Sequence, residues 1–134
     1  MEVDRLLQRI SLMVQHFGHC DLPQVVRLCL MDLDAPTHVS GYEYLVYGVV
    51  YLYQHPEAAM SLEVYPAVAK KFGSTPADVE IAMRRVIMKA WRIQNDKWLS
   101  YFPTRRKPKN IEFFNFMVQY LRLWEMYKNQ NGSG

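Results

Sequence analysis

KKFGSTPADVEIAMRRVIMKAW, residues 70–91, is the stretch whose reading decides this fold. Gly73 stands where an arriving helix needs a left-handed residue to finish. A helix start follows at once. Thr75 is placed to cap it, Pro76 fills the first helical position where a missing N–H does no harm, and Asp78 sits third, completing a carboxylate variant of the capping box. Asp78 also faces the positive end of the helix dipole, so it has a local reason to be there. From Pro76 to about Ile93, at about 100° per residue, Val79, Ala82, Met83, Val86, Ile87 and Ala90 gather on one face. Ala77, Ile81, Arg84, Arg85, Met88 and Arg92 point the other way.

Upstream of Gly73 a short helix is expected over Leu62–Phe72, so residues 62–93 read as two helices joined by a tight turn at 73–75. That is the layout of a helix-turn-helix, in which the second helix enters the DNA major groove by its N-terminal half. Helical hairpins occur in many all-α folds, so the geometry needs support from charge. Residues 1–69 hold three Lys/Arg against eight Asp/Glu, a balance of −5, whereas residues 70–109 hold eleven against three, a balance of +8. A positive field concentrated in one forty-residue block is the form a nucleic-acid footprint takes.

Outside this region the periodicity is helical throughout. Leu6, Leu7, Ile10, Met13, Val14 and Phe17 form one apolar stripe, on a helix that Gly18 can end. A second helix opens at Asp21 with Pro23 in its first turn, and a third follows Ser40 and Gly41 until His55 and Pro56. A loop, SYFPTRRKPKN, precedes a last amphipathic helix that starts near Asn110. The expected fold is therefore all-α, a compact bundle of about six to seven helices containing a helix-turn-helix. Its parts are an extra N-terminal amphipathic helix at 1–18, a helix-turn-helix domain at 19–128 and a flexible tail at 129–134.

Other functions find little support. No run of about 18 uncharged apolar residues is present and MEVDRLLQRI is charged where an export signal would be apolar, so a cytoplasmic protein without a membrane span is expected. Cys20 and Cys29 do not form a CxxC pair and read as two reduced, packed thiols. His16 and His19 would share a helical face, but Gly18 between them and the lack of a carboxylate or second cysteine pair argue against a metal site. Asp32 and Asp34, two apart at a helix end, would not share a face. No Gly-rich phosphate loop and no linked nucleophile and base occur, so neither an enzyme nor a cofactor is expected. Tyr42, Tyr44, Tyr47, Tyr51 and Tyr53 read as core and interface filling.

Three blocks, PTHVSGYEYL (36–45), YPAVAKKFGSTPADVEIAMRRVIMKAW (65–91) and KPKNIEFFNFMVQYLRL (107–123), resemble the C-terminal effector domain of the stage-zero sporulation master regulator of endospore-forming Firmicutes. They stand in the family's order and at nearly its spacing, and the resemblance covers roughly Pro23 to Leu123. It implies an all-helical domain whose helix-turn-helix binds short promoter elements, often as tandem dimers, and regulates transcription alongside RNA polymerase. These residues contain no phosphorylatable receiver domain; residues 1–18 supply one amphipathic helix instead. The family's recognition helix presents arginines at the positions of Asp78 and Ile81 and a small polar residue at Ala77. Glu80 and Arg84 match it, and Arg85 stands where the family has a histidine. Two missing base-reading arginines remove roughly 1 to 3 kcal/mol of discrimination each.

The expected DNA contacts are Ser74 and Thr75 at the helix start, then Ala77, Asp78, Glu80, Ile81, Arg84, Arg85, Met88 and Arg92. Arg105, Arg106, Lys107 and Lys109 would grip the flanking backbone. Leu6, Ile10, Met13 and Phe17 are expected either as a dimer or partner surface or as a lid over the core. The expected partners are double-stranded DNA, a second copy of the chain, RNA polymerase or a full-length regulator. In a competing reading the fold is a protein-interaction module that has lost DNA reading, with Ile81 and Met88 as its exposed apolar pair.

Overall fold

The computed structural model describes residues 2–17 and 21–131. Gly18, His19 and Cys20 lie outside the described residues, as do the side chains of His16 and Phe17. Every regular element described is helical: α1 (Glu2–Phe17), α2 (Leu22–Asp32), α3 (Ser40–Gln54), a π-helical turn (Met60–Val64), α4 (Tyr65–Phe72), α5 (Pro76–Ile93), α6 (Trp98–Tyr101) and α7 (Asn110–Asn131).

α2 starts as its residues predict, whereas α3 starts at Ser40 itself, with Val39 ahead of it and no side-chain cap bond. The Asp21 carboxylate accepts from the Gln24 N–H at 3.0 Å and Pro23 lies in the first turn of α2. Met60–Val64 departs from the α-helix expected over Leu62–Phe72. Pro66 has no N–H to offer the Leu62 carbonyl, and the turn ahead of it widens so that the Val64 N–H reaches Ala59 O, five residues back, at 3.1 Å. α6 runs into the first two residues of the expected loop, Ser100 and Tyr101; its four residues are too few to show a period, and it exists because Trp98 and Tyr101 are buried. α7 runs through Asn131, beyond the expected start of a tail at 129.

α3 is the central element and packs against α2, α4, α5 and α7. Its apolar residues face all round: Leu45, Val46, Val49 and Leu52 are buried, Tyr42 is buried, and Tyr44, Tyr47, Tyr51 and Tyr53 are half-buried against the core. Phe72 at the end of α4 tilts onto Tyr44 and meets Tyr47 edge-on, at 5.2 and 5.9 Å between ring centres. Gly41 sets how closely α5 can lie on α3, because a Cβ there would fall 2.3 Å from the Ala82 carbonyl oxygen.

The N-terminal stripe faces inward. Leu6 and Ile10 are almost completely buried and Met13 packs against the same core, where α1 contacts α2, α6 and α7. Leu6 and Ile10, expected either on a dimer or partner surface or in a lid over the core, are buried within this chain. The 0–1 % exposure of these residues leaves nothing for a second chain to cover.

Candidate nucleic-acid interface

The helix-turn-helix geometry is built by four local events. Gly73 takes a left-handed conformation (φ 66°, ψ 40°), and the Ser74 N–H returns to the Ala69 carbonyl at 2.9 Å, closing α4. Thr75 is extended, and its hydroxyl accepts from the Asp78 N–H at 3.2 Å, opening α5. Among the described residues the reverse bond, from the Thr75 N–H to the Asp78 carboxylate, is not made. Asp78 therefore acts through its charge at the helix start rather than as half of a closed capping box.

On the outer face of α5, Ala77, Asp78, Arg84, Arg85, Lys89 and Arg92 are exposed. Ile81 and Met88 are only half-exposed, so the apolar pair expected on this face is less open than its helical phase implies. Neither belongs to the packed core or to the layer of half-buried residues against it.

Hydrogen bonding divides the cations into two groups. Arg84 is tied to Glu80 one turn earlier, Nη1 to Oε1 at 3.0 Å. Arg106 is tied to Glu112 at 2.8 Å, and the Lys109 N–H donates to the same carboxylate at 2.8 Å. Those contacts, the Arg106 hydrogen bond first, hold the Glu112 carboxyl below its ordinary range. Arg105 leans on Gln94 Oε1 at 3.3 Å. Among the described residues no hydrogen bond or ion pair engages the side chains of Lys70, Lys71, Arg85, Lys89, Arg92, Lys107 or Lys109. These are the cations that can neutralise phosphates, releasing the counterions condensed on a polyanion, without first breaking a bond.

The basic loop after α6 is fastened along α5. The Trp91 and Gln94 side chains both donate to the Arg105 carbonyl, at 2.7 and 2.8 Å, and Trp98 donates to the Thr104 carbonyl at 3.0 Å. At the other end of α5, Lys107 and Lys109 share a cleft of about 360 Å³ with Glu80, Arg84, Ser61 and Tyr65. Asn110, buried at the start of α7, closes that side: its Nδ2 donates to Tyr65 Oη at 3.1 Å and to the Glu80 carbonyl at 3.2 Å. The opposite flank of α5 carries Arg85 and Lys89 into a groove of about 220 Å³ with Ser40 and Gly41 at the start of α3. The expected site residues are thus brought together as one helix face with a cationic loop along one edge.

Several residues that hold this surface were not expected to. Asn110, Trp91, Gln94 and Trp98 position the loop, and Asp32 and Asp34, set aside for not sharing a helical face, are both used as acceptors. No local period or motif in the sequence marks them, because their partners lie outside their own helix turn, from 6 to 69 residues away.

A tight turn closed by a left-handed glycine, a capped second helix and cations on its outer face define the class: an all-helical domain with a helix-turn-helix. Within that class, residues 26–121 match the family model described as Sporulation initiation factor Spo0A C terminal, and the chain belongs to that family, a family of DNA-binding transcription-factor domains. No helix among the described residues is long and apolar enough to cross a membrane.

Proposed function

We propose that this protein is a sequence-specific transcriptional regulator that reads a promoter element in double-stranded DNA through the outer face of α5. The observation that carries the reading is the row of exposed cations Arg85, Lys89 and Arg92 behind the N-terminus of α5, unpaired among the described residues, with Lys107 and Lys109 on the loop beside it. Ser74 and Thr75 sit at the helix start, where backbone N–H groups suit a phosphate. Arg84 can serve a base only by leaving Glu80, so Arg85 takes the leading part. Ala77 and Ile81 offer a thymine methyl an apolar contact, and Asp78 disfavours close phosphates. The altered leading edge gives the chain a target different from the arginine-read element of its family. The compartment is the cytoplasm, the assembly on DNA is a dimer, and RNA polymerase is the partner through which binding acts.

The test is fluorescence anisotropy on DNA selected from genomic fragments, across about 50 to 200 mM salt. A footprint of about five phosphates gives a slope near −4.5 in log K against log salt. Arg85→Ala is expected to weaken specific binding by roughly five- to 150-fold, the worth of a 1 to 3 kcal/mol contact. Absence of binding at the lowest salt overturns the reading.

A second reading rests on Ile81 and Met88, apolar and outside the core packing: a protein-interaction module pairing with a full-length regulator. It predicts a protein complex abolished by Ile81→Asp and indifferent to Arg84→Ala and Arg85→Ala.

A further inference from the structure

We infer that α1, acting through Arg9, is a clamp that positions α6 and the basic loop 102–109 that follows it. The inference rests on the proposed DNA-binding role only for what the loop then does; the clamp itself is a statement about structure. Residues 2–17 lie outside the family match at 26–121, so the role of α1 is not supplied by membership.

The centre of the clamp is Asp32, a carboxylate at the end of α2 with only 8 % exposure. Arg9 Nε donates to its Oδ2 at 2.8 Å and the Tyr101 hydroxyl donates to the same oxygen at 2.8 Å. Lys97 Nζ stands 3.9 Å from the other oxygen. Arg9 does not stop at the ion pair. Its Nη2 reaches on to Ser100 Oγ at 2.7 Å, and that hydroxyl donates back to the Lys97 carbonyl at 2.6 Å. One guanidinium therefore joins α2 to α6 from a third helix. The turn between α5 and α6 is held to the same end of α2, since Asn95 Nδ2 donates to the Asp32 carbonyl and to the Asp34 carboxylate.

α6 has four residues, fewer than a helix needs to hold itself in water, so its place is set by what grips it. From α6 the grip passes outward: Trp98 holds the Thr104 carbonyl, and Arg105 is the next residue. Without Arg9, Asp32 would keep one hydroxyl and a lysine at the edge of reach, and a buried carboxylate so poorly paired draws its surroundings toward water. The segment that yields first is α6 and the loop behind it, because α6 has four residues and two buried side chains, Trp98 and Tyr101, whereas α2 has eleven residues and a longer buried face. Arg9 is thus a positioning residue. It acts on α6 directly through Ser100 and, by way of Asp32, through Tyr101.

The experiment is hydrogen exchange on the full chain, comparing amides of 98–109 with those of 79–90, in Arg9→Met, Arg9→Lys and Ser100→Ala. Methionine keeps an apolar stem and removes the charge; lysine keeps the charge but cannot span both partners. Arg9→Met is expected to speed exchange in 98–109 by about tenfold or more while 79–90 changes less than about twofold, with Arg9→Lys between. Equal acceleration of both segments, or none in 98–109, overturns the clamp. If Arg9→Met does not fold, Ser100→Ala decides, with the same localised effect expected and its absence overturning the inference. In the DNA arm, Arg9→Met lowers the salt slope by roughly 2, as loop cations lose their phosphates, while binding at high salt changes little. Failure of the unaltered protein to bind DNA counts against the proposed function alone, and the exchange result still stands or falls by itself.

Discussion

Gly41→Ala tests the idea that the approach of α3 to α5 is fixed by one missing methyl. A Cβ at residue 41 would lie 2.3 Å from the Ala82 carbonyl oxygen, 2.8 Å from the Ala82 carbonyl carbon and 2.8 Å from Val86 Cγ2. Ordinary contact begins near 3.4 Å, so the oxygen is more than 1 Å too close, and it belongs to the backbone of a helix interior. No rotamer change relieves it; α5 must shift bodily. Overpacking of this kind costs about 1 to 3 kcal/mol. Replacing a helical glycine returns at most about 1 kcal/mol, and less in the first turn of α3 where residue 41 sits. The two effects oppose, and the steric one is expected to win by about 2 kcal/mol. With an unfolding entropy of about 2.1 cal/mol/K per residue over 134 residues, Tm should fall by roughly 7 °C in a calorimetric or circular-dichroism melt. Ala82→Gly should not rescue it, since the offended atoms are backbone. An unchanged or raised Tm would show that propensity outweighs packing here and would refute the close approach. Gly48→Ala is the control: its nearest neighbours are side-chain atoms, Phe114 at 2.9 Å and Met83 Cε at 3.1 Å, so its loss should be the smaller of the two.

Three further outcomes follow from the same structure. Thr75→Ala removes the acceptor for the Asp78 N–H and should cost about 1 kcal/mol, a Tm loss of roughly 3 to 4 °C that Thr75→Asp largely restores. Arg27 donates to Glu43 at 2.9 Å and, chiefly through its hydrogen bonds, holds that carboxyl below its ordinary value. A lowered folded value means that the stabilisation is complete above the ordinary value of about 4.3 and is lost as pH falls through the lower one. The carboxylate is 45 % exposed, so solvent screening leaves the pair well under about 1 kcal/mol; the small Tm advantage over Glu43→Gln at pH 6 should shrink as pH falls below about 4.3, and an advantage independent of pH would contradict the pairing. Burial pushes the Cys29 thiol up to about 12, so its alkylation at pH 8, followed on the Cys29 peptide by mass spectrometry, should keep pace with global unfolding. Rapid labelling of the folded protein would show that the pocket around it opens.

The sequence by itself determined every element whose cause is local. Gly73, Thr75 and Pro76 placed the turn and the start of α5 because caps and left-handed residues act over three or four positions. The apolar period of Val79, Met83, Val86 and Ala90 chose the buried face of α5 because a helix repeats every 3.6 residues or so. The cationic outer face followed by subtraction, and the block of charge at 70–109 marked which side of the molecule mattered. Tertiary structure alone decided how those cations are used. It laid the basic loop along α5, where Arg106 pairs with Glu112, and left Arg85, Lys89 and Arg92 without side-chain partners among the described residues, whereas the Glu80–Arg84 pair, four apart on one helix, has a local cause. It turned Leu6 and Ile10 inward, since an apolar stripe does not say whose core it covers. It also buried Asp32 at the meeting of α1, α2 and α6. Its partners Arg9 and Tyr101 lie 23 and 69 residues away along the chain, so no local period or motif records the pairing.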